Sequence, residues 1–94
     1  MPNQLQIEQP KEEKLEKDER KSLNKLIREQ VLYALGEPTD LRDVQVRKLW
    51  ADNYRVNVLV GPNAASIRVA HSYFVVIDSE GRLIAATPTI TKQY

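Results

Sequence analysis

Histidine, serine and the carboxylates are the side chains best suited to acid, base or nucleophilic chemistry, and this chain supplies few in useful spacing. His71 is the only histidine and stands beside Ser72. A nucleophile and its base must meet side chain to side chain, and neighbours on a regular strand point to opposite faces. The pair therefore reads as packing. A bulge near Ala70 is the one device that would re-aim it, and a His71-dependent hydrolase or isomerase is the enzymatic alternative. The acid pairs Asp40/Asp43 and Asp52/Asp78 have no spacing that brings an acid to a base, so no catalytic residue is assigned. A zinc site takes three or four ligands from cysteine, histidine and carboxylate. With one histidine and no cysteine, no metal site is expected. Asp78-Ser79-Glu80-Gly81 is acidic, but a calcium-binding EF-hand loop runs about 12 residues to a closing glutamate, and a hairpin turn accounts for all four residues. Gly61 and Gly81 are isolated between strands and open no helix, so neither a nucleotide nor another cofactor is expected.

Residues suited to binding are better represented. The net charge of +1 is too small to demand a polyanion, yet its distribution is uneven. Residues 1–40 hold seven basic and nine acidic side chains, whereas residues 41–94 hold seven basic and four acidic, five of the basic ones arginine. Arg47, Arg55 and Arg68, with Trp50 nearby, are expected on one sheet face, where basic groups and an aromatic ring can hold a phosphate backbone and stack bases. Nucleic-acid binding is the alternative function on this ground.

These side chains need elements to carry them. Residues 1–10 are polar and contain two prolines, which predicts a disordered tail. Residues 11–21 are almost wholly charged with Leu15 the one apolar member, and predict a solvated helical extension. A single α+β domain is expected over 22–94. It begins with an amphipathic helix, because Leu23, Leu26, Ile27, Val31, Ala34 and Leu35 fall on one stripe. Gly36 and Pro38 then end the helix. The pattern turns to alternation over Val44–Trp50, Tyr54–Val60, Ser66–Asp78 and Arg82–Thr87, four strands joined by tight turns. The expected fold is one N-terminal helix on the concave face of a curved, four-stranded antiparallel meander. Its order of elements resembles the first part of the double-stranded RNA-binding domain. That family needs a second helix after the meander, for which the seven residues after Thr87 leave no room, so no functional residue is carried across. In shape the arrangement is also similar to cystatin-type helix-on-sheet rolls.

Register then assigns faces. A three-residue loop pairs Asp78 with Arg82, Ile77 with Leu83, Val76 with Ile84 and Val75 with Ala85. One face carries Ile67, Val69, Tyr73, Val75, Ile77, Leu83 and Ala85 together with the even-numbered valines of the second strand, and must receive the helix. The other carries Leu59, Phe74, Val76, Ile84 and Ala86 beside Arg47, Arg55 and Arg68. A sheet with one helix is ordinarily polar on its far side, so an apolar cluster of Leu59, Phe74, Val76 and Ile84 marks an interaction surface. The function expected is a small non-catalytic interaction or assembly module that binds a protein partner, or itself as a homodimer, through this face. The tail from Pro88 is the chain's own alternative cover. No apolar run approaches the roughly 20 residues that span a bilayer, and Met1-Pro2-Asn3-Gln4-Leu5 lacks the character of a secretory signal. A cytoplasmic protein without a membrane partner is expected.

Overall fold

The computed structural model describes residues 19–94 with their side chains. The expected tail (1–10) and most of the expected charged extension (11–21) lie outside these described residues. Helix α1 (Pro2–Leu35) precedes β1 (Leu41–Trp50), β2 (Asn53–Val60), β3 (Arg68–Ile77) and β4 (Leu83–Thr87). The strands pair antiparallel in chain order, giving an open four-stranded meander with β1 and β4 at its edges. This is the expected α+β arrangement. Among the described residues no helix is long and apolar enough to cross a membrane.

The core forms because two periodicities meet. Ile27, Val31 and Leu35 recur every fourth residue on α1 and are fully buried. They lie against the inward positions of the sheet: Val44 on β1, Tyr54, Val56, Val58 and Val60 on β2, and Tyr73, Val75 and Ile77 on β3. Each such side chain contributes roughly 1.5–3 kcal/mol on leaving water. Leu23 and Leu32 pack at the margin, while Leu26 remains 37% exposed at the flank of the stripe.

The last turns of α1 are tied to the sheet layer at two points. At the C-terminal end Gly36 adopts φ +89° and donates its N–H to the Leu32 carbonyl at 2.8 Å. The free carbonyl of Leu35 accepts from the N–H groups of Gln93 (2.7 Å) and Tyr94 (3.2 Å), which satisfies a carbonyl that a helix end ordinarily leaves open. A side chain at position 36 would run into the Tyr94 carbonyl. Slightly earlier on the helix, Gln30 reaches the β3–β4 hairpin, donating from Nε2 to the Gly81 carbonyl (2.8 Å) and accepting at Oε1 from the Leu83 N–H (3.0 Å).

Two bulges correct the expected register. Ile77 does pair with Leu83, but Ile84 is then unmatched, so Val76 pairs with Ala85, Val75 with Ala86 and Phe74 with Thr87. Ala86 therefore turns toward the core and Ala85 away from it, the reverse of the simple count. A second irregularity leaves Ala70 unmatched between the Val58–His71 and Leu59–Val69 pairs. Val69 accordingly shares the helix-free face with Leu59, and Arg68, opposite Val60, belongs to the helix side. An extra residue on one strand reverses every side chain beyond it.

Candidate functional site

The helix-free face is built from four cross-strand rows. Trp50, Asn53, Val76 and Ala85 form the first, and Arg47, Arg55, Phe74 and Thr87 the second. Gln45, Asn57 and Ser72 form the third, followed by Asp43, Leu59 and Val69. Of the four residues expected as one apolar cluster, Phe74 and Val76 are neighbours on adjacent rows. Leu59 stands two rows from Phe74, separated by the polar Asn57–Ser72 row. Ile84 sits at the β4 bulge and is 64% exposed. Leu59 instead has Val69 for company, a partner that the Ala70 bulge brings round.

Of the four residues suited to nucleic acid, three come together. Arg47 and Arg55 are direct cross-strand partners. Trp50 is 60% exposed, and its ring lies 5.7 Å from that of Phe74 at an interplanar angle of 44°. Trp50 reaches the helix-free face because the β1–β2 pairing steps irregularly between Lys48 and Trp50. Its carbonyl also accepts from Asn53 Nδ2 at 3.1 Å, which fixes the turn beneath the indole. Arg68 stands apart on the opposite side of the sheet.

The third row orients the second. Ser72 Oγ donates to Asn57 Oδ1 at 2.6 Å, and Arg55 Nη1 donates to Ser72 Oγ at 3.3 Å. The sequence reading weighs Ser72 only as a partner for His71 and gives Asn57 no role, although alternation alone places both on this face. The ion pairs Lys25–Glu29, Arg82–Asp78 and Arg82–Glu80 lie elsewhere, and among the described residues neither Arg47 nor Arg55 has a carboxylate partner. Asp43 lies two rows away and accepts from the N–H of Val44 at 2.8 Å. Compared with models of protein families, with curated proteins and with solved structures, the chain matches none. Its face must speak for itself.

His71 and Ser72 do not meet. Ser72 is held on the helix-free face, whereas His71, opposite Val58, lies on the helix side. There its Nε2 is 2.8 Å from the Tyr94 hydroxyl, and its ring lies parallel to that of Tyr73 at 6.2 Å. Burial, aided by Tyr94, pushes the Tyr73 hydroxyl above its ordinary value of 10.0, and burial with nearby Asp52 does the same for Tyr54. Both phenols stay protonated at neutral pH. His71 thus anchors the C-terminal residues, and Ile90 packs against the core from the same side. The tail leaves the other face open. The Asp78-Glu80 segment closes the hairpin: Asp78 Oδ1 accepts from the N–H groups of Glu80 and Arg82, both at 2.9 Å, and Gly81 takes φ +84°. Among the described residues no three histidine or carboxylate side chains gather as metal ligands.

Proposed function

We propose that the chain is a non-catalytic interaction module that takes a macromolecular partner on its helix-free sheet face, centred on Trp50, Phe74 and Val76. The observation that supports this reading most directly is the course of the C-terminal residues. Gln93 and Tyr94 bind the helix end at Leu35, so the C-terminal segment, the cover expected for the far face, is committed elsewhere. An exposed indole tilted against a phenylalanine ring is then left at the surface, of the residue type that anchors interfaces. Isolated apolar residues on a surface are ordinary. Here, however, two rings and a valine adjoin on rigid strands, a platform fixed before any partner arrives.

The test separates a binding role from a structural one. Phe74→Arg should leave the chain folded, with a melting temperature within a few degrees of the parent and an unchanged far-ultraviolet circular dichroism spectrum. Light scattering across a concentration series should show any self-association of the parent weakened in the variant. A loss of stability as large as that of a core substitution would make Phe74 a structural residue and remove the basis of the proposal. A homodimer through this face is the form the module takes if the parent alone associates.

A further inference from the structure

Resting on that reading, we infer that the occupant of the helix-free face is single-stranded nucleic acid, its phosphates held by Arg47 and Arg55 and its bases stacked on Trp50 and Phe74. The charge arrangement carries the argument. Like charges directly opposite one another on paired strands destabilise a sheet, and Arg47 and Arg55 occupy such a position without a carboxylate between them. An anion bound across the pair relieves that repulsion and gains charge-assisted, forked hydrogen bonds that guanidinium makes well with phosphate. Arg55 is already steered by Ser72 and Asn57, so part of the ordering cost is met before binding.

The rings choose between anions. An acidic peptide satisfies two arginines equally well, but it has no flat face to lay on an exposed indole. Bases do, and stacking on an aromatic side chain is tolerant of sequence. The Trp50 and Arg47–Arg55–Phe74 rows are adjacent, about 7 Å apart for a two-residue step along a strand, so rings and cations serve one short length of chain. A duplex buries its base faces in its own stack, and an exposed indole backed by a half-buried phenylalanine therefore suits unpaired strands. The amides and hydroxyl of the neighbouring row are placed to meet base edges.

Trp50 is the only tryptophan in the chain, so it reports on its own site. Titrating the full chain at low salt with short oligothymidylate and oligouridylate should quench its fluorescence to saturation. Affinity should fall as salt rises, with a logarithmic slope near −1.4, about −0.7 for each of two phosphates. Arg47→Gln and Arg55→Gln should each weaken binding about tenfold and each remove about 0.7 from the slope. Trp50→Ala, followed by anisotropy of a labelled strand, should weaken it about 5- to 150-fold. Circular dichroism melts confirm that each variant is folded. Absence of binding at low salt, equal binding of duplex and single strand, or tighter binding of oligoglutamate than of either oligonucleotide overturns the assignment. The Phe74→Arg stability measurement is independent of these outcomes, so the wider reading of a binding face stands or falls separately.

Discussion

Both faces of this sheet carry apolar side chains, and they are put to opposite uses. On the helix side Val56, Val58 and Val75 are wholly buried beneath Ile27, Val31 and Leu35. On the other side Trp50 is 60% and Val69 53% exposed, and apolar residues share their rows with arginine, asparagine and serine. The difference teaches that hydrophobic content alone does not define a core. What defines it is a second layer with matching periodicity, and this chain has one helix to give. The uncovered face is consequently free to be selected for recognition.

The largest way to break this comparison is to remove equivalent bulk from each side. Ile27→Ala empties a fully buried site and should cost about 2–5 kcal/mol, read as a lowered midpoint in urea unfolding. Val76→Ala on the open face should cost about 1 kcal/mol or less, because its side chain is already partly in water. Equal losses would show that the open face is structurally covered.

Much of this division was legible in the residues. The helical stripe, the glycine stop at Gly36 and the alternation of β2 each have a strong local cause, and they place the helix, the strands and their order. What escaped was the parity of faces beyond two points: the sequence offers a bulge near Ala70, but whether a bulge forms and which side chains it reverses is settled by tertiary fit. The unmatched Ala70 carries Val69 to the open side and Arg68 away from it. The unmatched Ile84 exchanges the roles of Ala85 and Ala86. The candidate site was accordingly legible where strands are regular, at Arg47, Arg55, Phe74 and Val76, and misplaced past the irregularities. The course of the tail was equally hidden, since it depends on a helix-end carbonyl at Leu35 finding partners about 60 residues later.

A second substitution sharpens the comparison by loosening the covered side alone. Gly81 has φ +84°, and a Cβ there would lie 2.9 Å from both Leu23 Cδ1 and Leu26 Cδ2 of the helix. Gly81→Ala should therefore cost about 1–3 kcal/mol, combining left-handed backbone strain with displaced leucines. Ligand binding on the open face, once corrected for the unfolded fraction, should not change. A smaller effect of opposite sign is expected at the turn beneath Trp50. Ala51 holds φ +47° between β1 and β2, a conformation that costs an L-residue roughly 1–2 kcal/mol. Ala51→Gly relieves this while adding chain entropy to the unfolded state, for a net gain of about 0.5–1 kcal/mol in thermal or denaturant unfolding.

The smallest effect is confined to acid solution and concerns the hairpin that joins the two sides. Hydrogen bonding from the Arg82 backbone N–H is the main cause that holds the Asp78 carboxyl below its ordinary value of 3.8; partial burial opposes it, and the Glu80 N–H and the Arg82 guanidinium add to the lowering. Because the folded chain binds this proton less tightly than the unfolded chain, the stabilisation is present above pH 3.8 and is lost as the pH falls through the folded value. Asp78→Asn keeps an oxygen that can accept from both backbone N–H groups but cannot titrate. The stability difference between parent and variant should thus be constant from neutral pH to about pH 5 and shrink below pH 3.8, as followed by urea midpoints at successive pH values. A difference that stays constant down to pH 2 would mean that the charge of Asp78 contributes nothing beyond the shape of the turn. The salt bridge at 3.1 Å from Arg82 Nε would then be, like most exposed pairs, energetically idle.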